Sequence, residues 1–216
     1  SIYRWVQFAF QRDGFTLIKC VYFDFDDVLR NWDYEFDNLE ENFGIPLEVF
    51  REIAFAKENV TPPVRGEITD EEWRANVARQ LLVRYPDKDV SGAMVMWNGR
   101  TGELVPEVLE IVNECKAKMP VALFTNATTK LNHDLRLLGL SDLFDFVINA
   151  SEIGSMKPEP EIYAHALKLV GIEAQEAFFA DDRVNNIEIA NQLGWVGHHF
   201  TGAEGLRTAL VDAGVL

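Results

Sequence analysis

The sequence predicts an α/β fold: a parallel sheet with helices around it and a helical insertion behind the first strand. Three observations carry this. From Thr16 onward, short and near-continuous apolar runs alternate with segments of helical period, the signature of βαβ units. Roughly ninety residues separate Phe23 from Val121, far more than one crossover helix needs, and most of that stretch has helical character. Acidic or otherwise polar residues follow immediately on several of the apolar runs.

Taken in order, residues 1–15 hold Trp5, Phe8, Phe10 and Phe15, interrupted by Arg4, Gln7, Gln11, Arg12 and Asp13. Neither an unbroken apolar region nor a small-residue cleavage site is visible there, and the segment reads as an extra strand, a hairpin or an extension outside the domain. Strands are predicted at 17–23, 121–124, 146–148, 177–180 and 196–200, buried on both faces because apolar residues do not alternate with polar ones. After Pro106, a plausible first helical residue, Val108, Ile111, Val112, Cys115 and Met119 form one apolar stripe. Ile162, Ala166, Leu169 and Val170 repeat that pattern, and Ile187, Ala190, Asn191 and Gly194 do so more weakly. Residues 151–156 read as a loop.

Within the insertion, Gly44-Ile45-Pro46 marks one helix stopping and the next starting. Thr69-Asp70-Glu71-Glu72 matches a capping box, followed by Trp73, Val77 and Leu81 four residues apart. By position the insertion is equally a lid over the carboxyl ends of the strands and a purely structural subdomain. For Trp32, Trp73 and Trp97, packing within the insertion is favoured over a substrate pocket or a dimer face.

Composition narrows the function. A chain of 216 residues holds one sizeable core, or one core and a small second module. Thirty-five acidic residues against 20 basic ones give a net charge of −15, which argues against binding to nucleic acid or to an anionic membrane surface. Any anion site must therefore be cationic locally, through a metal, a lysine or backbone amides. Cys20 and Cys115 lie on apolar stretches and are expected as buried free thiols, which points to a reducing, cytoplasmic setting. No apolar stretch approaches the ~20 residues needed to span a bilayer.

The chemistry is concentrated at the strand ends. Val21-Tyr22-Phe23 runs straight into Asp24-Phe25-Asp26-Asp27, and carboxylates there are costly unless paired, solvated or bound to a cation. In an extended chain Asp24 and Asp26 project to the same side. Alone, this cluster is also compatible with turn and capping roles. A second cluster, Phe178-Phe179-Ala180-Asp181-Asp182, repeats the arrangement, and in a parallel sheet both clusters fall on one edge, so a metal site becomes the better reading. Oxygen-only ligands favour magnesium over zinc. Phe124 leads into Thr125-Asn126, whose hydroxyl and amides suit an anionic oxygen ahead of a helix near Thr128. Lys157, fixed by Pro158, supplies a cation at a further strand end, although a lone lysine before proline is more often solvated.

In order and spacing, Phe23-Asp24-Phe25-Asp26-Asp27-Val28-Leu29, Phe124-Thr125-Asn126, Lys157-Pro158-Glu159-Pro160-Glu161-Ile162-Tyr163 and Phe179-Ala180-Asp181-Asp182 resemble the four motifs of the haloacid dehalogenase superfamily. The resemblance covers about residues 18–200 and implies a Rossmann-like core at 16–30 and 102–216, with a helical cap at 31–101. It implies a magnesium-dependent phosphatase in which Asp24 attacks phosphorus and forms an aspartyl phosphate. Asp26 then protonates the leaving alcohol and later activates water. Thr125, Asn126 and Lys157 hold the phosphoryl oxygens. Asp24, the carbonyl of Asp26 and Asp182 bind magnesium, with Asp181 and Asn186 supporting Lys157 or the metal from behind. The substrate class implied is a small phosphorylated metabolite, and the stretch from Lys157 to Gly194 resembles phosphatases of sugar phosphates.

A metal-free dehalogenase branch lacks an acid two residues after the nucleophile, so Asp26 argues against it. Phosphomutase, dehalogenase and an inactive binding scaffold remain as alternatives, and monomer or dimer stays open. Position 27 is often glycine in the family and is Asp27 here.

Overall fold

The computed structural model describes residues 17–32 and 38–216. Residues 1–15, whose role the sequence leaves open, lie outside them. Core strands β1 (Cys20–Phe23), β4 (Val121–Thr125), β5 (Phe146–Asn149), β6 (Ala177–Asp181) and β7 (Val196–His199) form a five-stranded sheet in the order β5-β4-β1-β6-β7. Every pairing in it is parallel. Two short strands, β2 (Arg30–Asn31) and β3 (Glu103–Leu104), pair antiparallel where the chain leaves and re-enters the sheet domain.

Alternation along the central strands explains the three layers. Val21 and Phe23 of β1, with Val121 and Leu123 of β4, join an apolar cluster under α6 (Pro106–Lys116), α7 (Leu131–Leu137) and α11 (Ala203–Asp212). Cys20, Tyr22, Ala122 and Phe124 point the other way, against α9 (Pro160–Val170) and α10 (Val184–Gln192). Both faces of these strands are covered, which is why their runs do not alternate in sequence.

The edges depart from that expectation. β7 is bounded on one side only, with Val196 38% exposed and His199 exposed, so it is not buried on both faces. β1 begins at Cys20 rather than at residue 17, Leu17 being 70% exposed. Leu169 is also exposed, and Tyr163 takes its place on the buried stripe of α9. Asn191 faces solvent and its side chain accepts from the Gly197 N–H, tying α10 to β7. Residues 151–153, read as loop, belong to the short helix α8 (Ala150–Ile153), ended by Gly154 in the left-handed region.

Between β2 and β3 lie α1 (Leu39–Phe43), α2 (Leu47–Ala54), α3 (Lys57–Val64), α4 (Asp70–Arg84) and α5 (Val90–Asn98). They pack around their own apolar cluster, which includes Phe50, Trp73, Val77, Leu81 and Trp97. Gly44 closes α1 with φ +70°, as the Gly-Ile-Pro signal predicts, and the capping box on Thr69 and Glu72 forms in both directions. Cys20 and Cys115 are buried free thiols. No helix among the described residues is long and apolar enough to cross a membrane.

Candidate active site

Parallel strands bring their carboxyl ends to one edge, and the polar clusters meet there. Asp24 follows β1, with its N–H on the Ala180 carbonyl at 2.9 Å; Thr125 ends β4 and Asp181 ends β6. Beyond Asp24 the chain folds into a tight turn in which the Phe25 carbonyl accepts from Leu29 and Arg30, at 3.0 and 2.9 Å. Phe25, Val28 and Leu29 are fully buried and anchor this turn, while Asp24, Asp26 and Asp27 line a cavity. The carboxylates thus share a side because the turn is anchored, the chain having already left the strand. Asp27 sits at φ +61°, a left-handed conformation that glycine adopts without strain.

Lys157 is only 2% exposed, not a solvated surface lysine. Its ammonium has three protons and three acceptors: the Phe124 carbonyl at 2.8 Å, Asp181 Oδ2 at 2.6 Å and Asp24 Oδ1 at 3.0 Å. Asn126 clamps its backbone, accepting from the Lys157 N–H and donating to the Lys157 carbonyl, each at 2.8 Å. The Asn126 side chain is therefore committed to placing the lysine. Asn186 donates to both oxygens of Asp181, at 3.0 and 2.9 Å, and the Arg183 N–H adds a bond at 2.8 Å.

These contacts sort the carboxylates electrostatically. Burial alone would raise Asp181, but Lys157 and the surrounding donors hold it below the usual carboxylate range. Lys157 is held above its ordinary value: burial opposes its charge, and Asp24 and Asp181 more than compensate. Asp24 is pushed well up by burial, with Asp181 and Asp26 adding repulsion that Lys157 only partly offsets. Burial likewise raises Asp182, reinforced by Asp181 and Asp27. Negative charge on Asp24 and Asp182 is thus under-compensated by the protein itself. Asp24, Asp181 and Asp182 each bring a carboxylate oxygen within 4.8 Å of the others, a donor set suited to a hard divalent cation. With Asp181 already bonded to Lys157, Arg183 and Asn186, the unmet charge lies on Asp24 and Asp182.

Asp26 is held from β2 and the residue after it. Arg30 donates to its Oδ1 through Nε at 2.8 Å and Nη2 at 2.7 Å, and Trp32 Nε1 donates to the same oxygen at 2.8 Å. Arg30 is itself fixed by Asp134 at 2.9 Å, by the Thr101 carbonyl at 3.1 Å and by the ring of Phe25. Trp32 thus serves the carboxylate cluster and lines the same cavity, which fits the pocket alternative rather than the favoured packing within the insertion.

The helical layer closes over this edge, leaving a cavity of about 530 Å³. Phe55, Trp73 and Trp97 form an aromatic wall of it, so Trp73 and Trp97 both pack the layer and face the site. Asp70, in the first turn of α4, joins the layers: its Oδ1 accepts from Thr128 at 2.7 Å and its N–H donates to Thr129 at 3.0 Å. Arg65 pairs with Glu159 across the same seam. Arg30, Arg51, Arg74, Arg100, Lys130, Lys157 and Arg183 line the cavity beside six aspartates, so it is close to charge balance in a strongly acidic chain.

Sequence reasoning places Asp24, Asp26, Thr125, Asn126, Lys157, Asp181, Asp182 and Asn186 at this edge, and the structure brings all eight together there. It misses Arg30, Asp70, Arg74 and Asp134. A lone arginine directly after Val28-Leu29 and an acid–base pair at Asp70 and Arg74, four apart, were the available signals.

A family model described as haloacid dehalogenase-like hydrolase matches residues 18–194. The flavin mononucleotide hydrolase of Arabidopsis thaliana is 32% identical over 199 residues, covering 88% of this chain and 75% of that protein. A glyceraldehyde 3-phosphate phosphatase of Methanocaldococcus jannaschii is 25% identical over 191 residues, covering 83% of each. Among solved structures, a HAD family enzyme of Bacteroides thetaiotaomicron, complexed with magnesium and inorganic phosphate, superposes with a TM-score of 0.67. That match has 23% identity and covers 84% of this chain and 93% of the other.

Proposed function

The chain belongs to the haloacid dehalogenase-like hydrolases, and from that premise we propose that it is a magnesium-dependent phosphatase of small phosphate monoesters, working through an aspartyl phosphate on Asp24. The observation that carries the reading is the buried Lys157 ammonium, bonded at once to Asp24 and Asp181 beside an under-compensated Asp182. That the two relatives are phosphatases or hydrolases of phosphorylated small molecules supports it.

Residues 31–101 act as the cap and residues 16–30 and 102–216 as the core. Asp24, Asp182 and the backbone carbonyl of Asp26 are the groups that would hold magnesium, which supplies positive charge against the phosphoryl oxygens. Lys157, the Thr125 hydroxyl and the Asn126 N–H orient those oxygens, so that Asp24 approaches phosphorus against less repulsion. One Asp24 oxygen bonds to phosphorus as the bond from phosphorus to the alcohol oxygen breaks, and Asp26 gives its proton to that oxygen. Water then attacks the aspartyl phosphate, passing a proton to Asp26, and the bond between Asp24 and phosphorus breaks to release orthophosphate. Asp181 and Asn186 keep Lys157 aimed.

Phosphate release from an aryl phosphate and a panel of metabolite phosphates, with magnesium or with a chelator, tests the reading. Release that requires magnesium and is lost in Asp24→Asn is expected; release unchanged by that substitution would sink the mechanism.

A further inference from the structure

Arg74 lies on the cap side of the cavity, in a setting that a structural strut does not require. Its Nε is fixed by Asp70 Oδ2 at 2.5 Å, and its guanidinium carbon lies 4.0 Å from the ring centroid of Trp97. Asp70 is in turn fixed by Thr128, on the loop that follows Thr125. The guanidinium is thus pre-positioned by a carboxylate and an aromatic face, yet its Nη1 is buried and finds no hydrogen-bond acceptor. A buried donor left in this state costs on the order of 1–3 kcal/mol, more when charged, unless something accepts from it. Its neighbours in the wall, Phe55, Trp73 and Trp97, are aromatic. The volume of about 530 Å³ is of the size that takes an organic ligand, leaving room for more than a phosphoryl group.

We propose that Arg74 is a specificity-determining residue that receives a second anionic oxygen group, carboxylate or phosphate, on the alcohol part of the substrate. The substrate class is then a phosphate monoester with an apolar or aromatic body that carries this second anion at a distance from the scissile phosphate. The arginine fork suits either group, because both present paired oxygens to its planar donors. The aromatic wall takes the body between them. This inference rests on the phosphatase reading for its orientation, with the first phosphate at Lys157 and the second anion at Arg74.

The test compares kcat/KM for phenyl phosphate, para-carboxyphenyl phosphate and para-phenylene bisphosphate in the wild type, Arg74→Met, Arg74→Lys and Arg79→Met. The quantity read is the ratio of an anionic probe to the neutral one within each protein, which cancels any loss of folded enzyme. Comparing that ratio between proteins cancels leaving-group effects. For at least one anionic probe the ratio should fall about tenfold in Arg74→Met, the worth of one charge-assisted hydrogen bond. In Arg74→Lys, which keeps the charge but loses the fork, it should fall less. Arg79, exposed on the same helix, should leave it unchanged. Ratios that survive Arg74→Met for both anionic probes overturn the proposal, and which ratio falls identifies the anion.

Should the wild type release no phosphate, the phosphatase reading fails separately. Binding of para-hydroxybenzoate against phenol, followed by tryptophan fluorescence, then tests Arg74 without turnover. A preference for the carboxylate that Arg74→Met removes supports the proposal, and equal binding by both proteins overturns it.

Discussion

Arg30 places two donors, Nε and Nη2, on one oxygen of Asp26, at 2.8 and 2.7 Å. With Trp32 adding a third bond to that oxygen, Oδ1 is saturated, which leaves Oδ2 as the oxygen for proton transfer in the proposed reaction. Arg30 belongs to β2, one of the two strands by which the helical layer joins the sheet, so the orientation of Asp26 is set where the two layers join. Arg30→Met should lower kcat by about 10²-fold or less, within the usual worth of general acid–base catalysis, with a smaller change in KM. The loss should be greatest for aryl phosphates with basic leaving groups, which most need a proton. A series of graded aryl phosphates checks this; a leaving-group dependence identical to the wild type would show that Arg30 does not position Asp26.

Magnesium should stabilise the protein more as pH rises. In the metal-free fold Asp24 and Asp182 hold their protons more tightly than ordinary carboxyls, burial being the first cause in each. Above the ordinary carboxylate range the folded state then binds more protons than the unfolded one, and these two groups make stability fall as pH rises. Asp181, held low, acts in the opposite sense: its contribution is present above the unfolded value and fades as pH drops through the folded one. A cation competes with protons for Asp24 and Asp182, so the gain in Tm on adding magnesium should increase between about pH 5 and pH 8. Thermal melts with magnesium and with chelator measure it, and Asp182→Ala should flatten the trend.

Gly66 sets how closely the helical layer sits on the sheet domain. Its φ is +71°, and a Cβ there would stand 1.9 Å from the Ser151 carbonyl oxygen. Gly66→Ala should cost roughly 1–3 kcal/mol through strain and overpacking, and should raise KM by lifting the seam between the layers. Denaturant unfolding alongside steady-state kinetics separates the two effects. An alanine variant with wild-type stability and KM would mean that the layers are free to reseat.

Asp27 occupies the left-handed region without being glycine. Asp27→Gly should be tolerated within about 1 kcal/mol, whereas Asp27→Val, β-branched at the same φ, should cost about 1–2 kcal/mol. Paired unfolding curves check the difference, and equal stabilities would show that the turn rearranges.

The sequence reading succeeds where the chemistry is local. An apolar run ending in adjacent carboxylates is visible in one dimension, because strand burial and the cost of charge act on neighbouring residues, as at Phe23-Asp24 and Ala180-Asp181. The exposure of β7 and of Leu169 was hidden, since which strand lies at an edge and which helical stripe meets it depend on strand order. Lys157 could be suspected from Pro158, but its clamp by Asn126 spans 31 residues and has no local signature. Asp70 is legible as a residue of a capping box and not as the tie to Thr128, because the fold supplies that partner from a distant loop.

The near charge balance of the cavity in so acidic a chain has a consequence for how ligands arrive. With 20 basic residues against 35 acidic ones, and the charges of the cavity nearly cancelling, the net negative charge falls on the rest of the protein. An anionic substrate therefore meets a repulsive outer field before it reaches the donors of the site, Lys157 among them. Added salt screens the long-range part over about 10 Å at 0.1 M and leaves the short-range part largely intact. Moderate ionic strength then speeds capture here, opposite to its effect on enzymes that draw anions in from afar.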